Sequence, residues 1–280
     1  MPMMFCIGLG YCATRLNAAL AEDGWEVAGT KRSKIDSANV FLFDGYDPVE
    51  QTSALKRTTH LLSSVPPSGG KDPVLQCNLS ELRALGDLEW VGYLSATSVY
   101  GDTSGEWVDE SCIPNPGTKR GIDRLSAEHE WLDFGARSGV PVQIFRLSGI
   151  YSIQNNILKR LIERQAKLIK KENQFFSRIH LEDIANILFF SMDKFKTNEI
   201  YNISDDKPTS QEEIISYGSK LLKVKSPEIL KLDDIEDGML KDFYKDSKKV
   251  DNKKIKEFFN YKFIYPTYKE GLDSIFNNMV

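Results

Sequence analysis

The stretch from Phe5 to Leu20, FCIGLGYCATRLNAAL, decides how this chain folds. It reads as a buried strand, a glycine turn and a helix that opens at Tyr11 to Ala13. Gly8, Gly10 and Ala13 follow a G-x-G-x-x-G/A pattern. Gly8 permits a tight turn, Gly10 clears the backbone for a pyrophosphate, and Ala13 lets the helix pack closely on its strand. Tyr11 and Cys12 start a helix whose first turn offers N–H groups and a partial positive charge to an anion. The pattern also fits an ordinary strand-to-helix turn, so its weight depends on what surrounds it.

The surroundings repeat the alternation. Gly24 closes the first helix, and Trp25 to Gly29 gives a second strand that ends in Thr30, Lys31 and Arg32. In a dinucleotide fold an acid at that strand end holds the ribose 2′-OH, whereas a basic residue accommodates a 2′-phosphate. Thr-Lys-Arg without an acid favours NADP over NAD; a solvated basic turn is the plain alternative. Val40 to Phe43 is a third strand, and Asp47-Pro48 has the chemistry of a helix start. A fourth strand, His60 to Ser64, runs into Val65-Pro66-Pro67-Ser68-Gly69-Gly70. Asp72-Pro73 then opens a helix with Leu75, Leu79 and Leu82 on its core side. This rhythm predicts an α/β fold with a doubly wound parallel sheet. The Ser64, Val65, Pro66 loop then falls at the carboxyl ends of the strands, where ligands collect.

Composition narrows the class. The chain has 280 residues, 41% hydrophobic and 27% charged, as expected of a folded globular protein. Lys+Arg 36 against Asp+Glu 40 gives a net charge of −4, which argues against nucleic acid or an anionic membrane as partner. Lysines at 167–171 and 245–256 alternate with acids or helix positions and read as solvated faces. Cys6, Cys12, Cys77 and Cys112 form no CxxC pair and no metal spacing, so no metal site and a reduced, cytoplasmic setting are expected. No apolar run approaches the roughly 20 residues of a membrane span, and the N-terminus lacks the basic region of a signal peptide.

Further along, Val91 to Leu94 is a strand that delivers Ser95, Thr97, Ser98 and Tyr100 to the same sheet edge. A long helix from Thr118 to Arg137 ends at Gly139. A sixth strand, Val142 to Leu147, leads to Ser148-Gly149-Ile150-Tyr151. The spacing predicts a helix from Asn155 to Lys171, a return to the sheet through Phe175 to Ile179, and a helix beyond His180. It also predicts a strand at Ile200 to Ile203 and a capping box, Ser210-x-x-Glu213, opening a helix through Leu222. The charged tail from Pro227 carries two amphipathic stretches, near Asn252 to Phe259 and Thr267 to Phe276.

Taken together, GLGYCA at Gly8 to Ala13, SVPP at Ser64 to Pro67, LSATSVYGD at Leu94 to Asp102, FRLSGIY at Phe145 to Tyr151, RIHLEDIA at Arg178 to Ala185 and YNISDDKPTS at Tyr201 to Ser210 resemble the extended or atypical branch of the short-chain dehydrogenase/reductase superfamily. That branch contains NAD(P)-dependent epimerases and dehydratases of nucleotide sugars. The late KKVDNKKIKEFF and YPTYKEGL also fit, so the resemblance covers nearly the whole chain. It implies a Rossmann-type domain at 1–151 and 175–205, and a small, mostly helical substrate region at 152–174 and 206–280. It further implies Tyr100, Tyr151, Arg178 and His180 on the substrate side and a homodimer to which the Thr118 to Arg137 helix contributes.

The catalytic positions depart from that pattern. The resemblance calls for a Ser or Thr four residues before the Tyr of V-Y-G and a Tyr-x-x-x-Lys pair on the next helix. Here Ala96 stands at the first position, and Arg120 and Arg124 stand at the pair. An Arg stays protonated and cannot shuttle a proton. Arg124 keeps the ability to hold ribose or phosphate oxygens, and Thr97 or Ser95 the ability to donate to a carbonyl; Ser95 and Arg124 both count among the cofactor-binding candidates. The catalytic candidates are therefore Thr97, Arg120 and Arg124. Two functions stay open: an NADP-dependent epimerase/dehydratase-like oxidoreductase with a non-standard site, acting on a nucleotide sugar or another small hydroxyl/carbonyl substrate, or a catalytically silent NADP(H)-binding sensor or scaffold.

Overall fold

The computed structural model describes residues 1–280 except 34–35, 51, 233–234, 237, 239–240, 242 and 280, so part of the charged tail after Pro227 lies outside the described residues. In chain order the first elements are β1 (Met3–Ile7), α1 (Tyr11–Glu22), β2 (Glu26–Lys31), β3 (Val40–Leu42), α2 (Ser53–Lys56), β4 (His60–Ser63), α3 (Pro73–Arg83), β5 (Trp90–Ala96), β6 (Trp107–Val108), α4 (Lys119–Ser138) and β7 (Val142–Leu147). There follow β8 (Gly149–Tyr151), α5 (Ile157–Ile162), β9 (Leu168–Ile169), β10 (Arg178–His180), α6 (Leu181–Asp193), β11 (Glu199–Ile203), α7 (Gln211–Leu222), β12 (Ile229–Leu230), β13 (Lys249–Val250), α8 (Lys253–Phe259) and α9 (Tyr268–Asn277). A 3-10 turn covers Thr97–Tyr100.

These elements form two compact units: Met1–Ala96 with Lys119–Arg146 and Ile184–Tyr201, and Thr97–Thr118 with Leu147–Asp183 and Asn202–Val280. The first is built on a seven-stranded parallel sheet of order β11-β7-β5-β4-β1-β2-β3. All five residues of β1 are buried, as a central strand covered on both faces requires. Because β1 pairs with β2 on one side and β4 on the other, the winding reverses at β1. The glycine turn follows that strand directly, at the switch point where open α/β sheets bind ligands. Tyr93 stacks on Trp131, which meets Phe134 edge-on, and this aromatic run ties α4 to the sheet.

The second unit has its own core, with Tyr151, Leu158, Ile215, Tyr268 and Leu272 closing α5, α7 and α9 around one another. Three two-stranded parallel pairs, β8 with β10, β9 with β12 and β6 with β13, brace its loops.

Several local expectations need correction. No helix starts at Asp47-Pro48: Asp44 Oδ1 instead gathers the Tyr46 and Asp47 N–H groups, Asn78 Oδ1 takes the Val49 N–H at 2.6 Å, and the helix waits for the Thr52 cap. The helix expected across Asn155 to Lys171 stops at Ile162, where Arg164 turns left-handed at φ +56° and Gln165 N–H returns to Arg160 O. Phe175 to Ile179 does not rejoin the main sheet, because β10 pairs with β8 alone. At α7 the Ser210 cap forms, but the Glu213 carboxylate takes Thr209, Lys207 and Tyr268 rather than closing the box. A complete capping box occurs at α9, between Thr267 and Glu270.

Candidate functional site

The glycine turn is held from both neighbouring strands. Gly8 sits at φ +96°, where a Cβ would lie 2.9 Å from Ser64 Oγ, so only glycine is unstrained there. Its N–H donates to Thr30 Oγ1 at 2.9 Å, and Leu9 N–H to Thr30 O at 2.7 Å. The Ser64 hydroxyl donates to Gly8 O. Thr30 and Ser64 therefore spend their hydroxyls on the shape of the turn. Past it, no side chain caps α1 at Gly10, and a Cβ at Gly10 would meet nothing within 4 Å. The N–H groups of the first turn, at Tyr11, Cys12 and Ala13, thus open onto a cradle that a side chain would fill. Ala13 is buried against the sheet, Tyr11 is exposed, and burial pushes the Cys12 thiol up to about 12, which makes it an inert filler.

The remaining cofactor candidates lie along the same unit. Lys31 ends β2 half-buried, and Arg32 beyond it is exposed. Val65 is half-buried and Pro66 exposed after β4, where reciprocal Ser68–Lys71 backbone bonds tighten the loop. At the end of β5, Arg124 Nη1 donates to Leu94 O at 2.8 Å and Tyr93 Oη at 3.2 Å. This fixes one edge of the guanidinium on the strand. Arg120 is exposed in the first turn of α4, and Ala96 is half-buried. Ser95 is nearly fully buried, and its hydroxyl donates to Glu128. Glu128 also receives Arg146 through contacts of 2.7–3.2 Å, an internal ion pair that motif reading did not anticipate as the destination of Ser95.

The catalytic candidate Thr97 and the substrate-side candidates fall in the second unit. Thr97 is half-exposed in the 3-10 turn. Tyr100 is buried, with its hydroxyl on Asn202 Oδ1 at 2.8 Å. Tyr151 is buried too, its hydroxyl directed at Thr267 O at 3.5 Å, and burial pushes its phenol upward. The parallel register sets His180 opposite Tyr151 and Arg178 opposite Gly149. His180 Nδ1 accepts the Glu182 N–H at 3.2 Å, so its proton sits on Nε2, and burial lowers its pKa to about 4. It is neutral near pH 7. Arg178 donates to Phe176 O, Thr209 O and Gln211 Oε1 at 3.0–3.2 Å, and burial brings it down to about 10.

One neighbour of Arg178 lies within the YNISDDKPTS stretch but is not among the site candidates. Asp205 is 1% exposed; its N–H donates to Arg178 O at 2.7 Å, and Oδ1 takes the Lys207 N–H at 3.0 Å. Its Oδ2 has no hydrogen-bond partner among the described residues, and burial pushes the carboxyl up to about 8. Among the described residues, no group of three or more His, Cys, Asp or Glu could hold a metal, and no helix is long and apolar enough to cross a membrane.

No family model and no curated protein matches the chain. Among solved structures, a functionally unknown conserved protein from Silicibacter pomeroyi DSS is 34% identical over 99% of both chains, with a TM-score of 0.91. MoeE5 in complex with UDP-glucuronic acid and NAD is 18% identical over 100% of both chains, at a TM-score of 0.76. UDP-glucuronic acid 4-epimerase from Bacillus cereus, in complex with NAD, is 18% identical over 100% of this chain and 99% of that one, at 0.75.

Proposed function

The chain belongs to one family with the Silicibacter pomeroyi protein and has the fold of NAD-dependent nucleotide-sugar epimerases and dehydratases, and from that premise we propose that it is an NADP(H)-binding oxidoreductase of the epimerase/dehydratase type. The observation that carries this reading is the cradle at Gly10. An uncapped helix start, a turn locked by Thr30 and Ser64, and open space where a side chain would sit suit the pyrophosphate of a dinucleotide.

In this reading the N–H groups of Tyr11, Cys12 and Ala13 hold the pyrophosphate, and Lys31 and Arg32 hold a 2′-phosphate. Val65 and Pro66 flank the adenosine side, and Arg124, already fixed to Leu94 O, turns its remaining N–H groups to ribose or phosphate oxygens. When bound, the nicotinamide supplies the hydride acceptor or donor. Thr97 donates a hydrogen bond to the substrate oxygen, and His180 presents its Nε2–H as a neutral donor. The substrate is a nucleotide sugar or another small hydroxyl/carbonyl compound.

A silent cofactor-binding role is the second reading, favoured by the burial and internal bonding of both Tyr100 and Tyr151, which keeps either phenol from standing in for the absent tyrosine. A homodimer joined through α4, where Ile122 is exposed, accompanies either reading and is checked by sedimentation. Fluorescence titration with NADPH and NADH tests the cofactor assignment. The expected result is a preference for NADPH of about 1.5–3 kcal/mol, abolished in Arg32→Ala. Turnover on a panel of nucleotide sugars then separates enzyme from sensor, and tight NADPH binding with no turnover on any of them would favour the sensor.

A further inference from the structure

The His180 imidazole is held from three directions, all within the second unit. Its Nδ1 accepts the Glu182 N–H at 3.2 Å, in the first turn of α6. One long hydrogen bond fixes the ring at a single atom and leaves its plane free to tilt. Two tyrosine rings remove that freedom. Tyr151 meets the imidazole edge-on, with ring centres 5.0 Å apart and planes at 80°, and Tyr265 lies against it at 4.1 Å and 52°. Aromatic rings in such contact attract each other beyond the area they bury.

Tyr265 is seated by specific bonds rather than by apolar packing alone. Asp183, fully buried, follows His180 by three residues in the first turn of α6. Its Oδ1 takes the Tyr261 hydroxyl at 2.7 Å and the Ile264 N–H at 2.8 Å, and its Oδ2 takes the Tyr265 N–H at 3.0 Å. A buried carboxyl group needs donors to offset its lost hydration, and these three come from one turn, Tyr261 to Tyr265. The Asp206 N–H holds the end of that turn through Pro266 O at 2.8 Å. The Tyr265 hydroxyl shares a hydrogen bond with Ser274 Oγ of α9 at 3.1 Å, so the ring rather than the phenol oxygen meets His180. α9 braces Tyr151 as well, since a Cβ at Gly271 would collide with its hydroxyl and ring.

The imidazole and the turn that carries Tyr265 thus hang on the same first turn of α6. We propose that Tyr265, seated by Asp183 and Ser274, is a positioning residue that keeps the His180 ring in one orientation, with Nε2–H as its donor. A neutral ring cannot exchange the roles of its two nitrogens without leaving the Glu182 bond, and a donor held before the substrate arrives loses little freedom on binding it. The inference rests on the reading of His180 as a donor to the substrate. It adds Asp183 and Tyr265, which are not among the site candidates.

Nitrogen–proton NMR of the imidazoles tests this in the full chain without any ligand. The protein has three histidines, and His180→Asn identifies the third ring while keeping an oxygen for the Glu182 N–H. The proposal predicts a single His180 form with its proton on Nε2. Tyr265→Leu should raise the minor Nδ1–H form by about 10-fold. Asp183→Asn should do the same, because it sets an amide N–H group against the Tyr265 N–H, whereas Tyr265→Phe, which keeps the ring, should stay close to the unaltered protein. A His180 spectrum unmoved by Tyr265→Leu, or moved equally by Tyr265→Phe, would overturn the proposal. Tyr265 is half-buried, so its two variants keep the test standing if Asp183→Asn fails to fold. Calorimetric titration with UDP-glucose extends the test to the substrate: Tyr265→Leu and His180→Asn should each lower affinity about 10-fold, and the double variant no further. Additive losses would mean that Tyr265 acts apart from His180 and would overturn the positioning role. No UDP-glucose binding by the unaltered protein would count against the nucleotide-sugar reading, and the imidazole spectrum would still decide the role of Tyr265.

Discussion

Two buried ion pairs in this molecule look alike by composition and differ in how many contacts hold them. In the first unit, Arg146 and Glu128 are 3% and 1% exposed in their side chains, and both carboxylate oxygens are engaged, one of them also by Ser95. In the second, Lys248 and Asp246 are 11% and 14% exposed, with a single contact at 3.3 Å. Removing charges from water is repaid only when geometry and additional hydrogen bonds are good. The Glu128 carboxylate meets that condition, with Ser95 and Arg146 on its oxygens, so the pair reads as architecture that seats α4 against β5 and β7. The second is held by one longer contact between less deeply buried groups and is the weaker of the two.

The comparison breaks most readily at Glu128. Glu128→Ala leaves the Arg146 guanidinium buried without its carboxylate and is expected to cost about 3–5 kcal/mol in urea unfolding; a loss below about 1 kcal/mol would deny the pair its structural role. Asp205 tests the opposite situation, a buried carboxyl without a full set of donors. Its pKa is raised to about 8 from an unfolded value of about 3.9, so the folded state holds the extra proton. Its stability contribution is therefore fully present below about pH 4 and is lost as pH rises through about 8. Asp205→Asn should remove this slope and stabilise the protein at pH 8 relative to pH 5 by on the order of 2 kcal/mol. Equal effects at the two pH values would contradict it.

Smaller effects sharpen the contrast. Lys248→Met should cost only about 1–2 kcal/mol, well under Glu128→Ala, because its pair is looser and partly hydrated. Ser95→Ala should cost about 1 kcal/mol through the lost bond to Glu128. NADPH affinity should stay within about twofold in that variant, since the hydroxyl is already spent on Glu128. A large drop in NADPH affinity would return Ser95 to the cofactor site.

What the sequence disclosed follows the range of the interactions involved. The turn from Phe5 to Leu20 is readable because strand, glycines and helix start are contiguous, and Asp72-Pro73 opens α3 because its cap lies within three residues, on the Val74 and Leu75 N–H groups. Thr30 was legible as the end of a strand but not as the lock of the glycine turn, 22 residues away. Asp47-Pro48 had a local helix signal that lost to Asn78, which holds the Val49 N–H from 29 residues away. Ser247 joins three distant segments, through Asp102 to Gly105 and Asn173 to Phe175, and Asp205 owes its raised pKa to burial that no periodicity records. Tyr100 shows the same limit from the other side, since the motif placed it beside a substrate while its hydroxyl meets Asn202, 102 residues on.

The dinucleotide site proposed for the first unit is tested most directly at Gly10. Its φ of −85° suits any residue, and a Cβ there would touch no protein atom, so Gly10→Ala should leave thermal stability unchanged or slightly raised. The measurement is NADPH titration of the unaltered protein and Gly10→Ala, with melting temperature recorded on both. The account predicts saturable NADPH binding that falls at least about 10-fold in the variant while melting is unaffected, because the added methyl occupies the pyrophosphate's place. Unchanged NADPH affinity in Gly10→Ala, or no NADPH binding by the unaltered protein, would contradict it and leave the glycine turn as architecture alone.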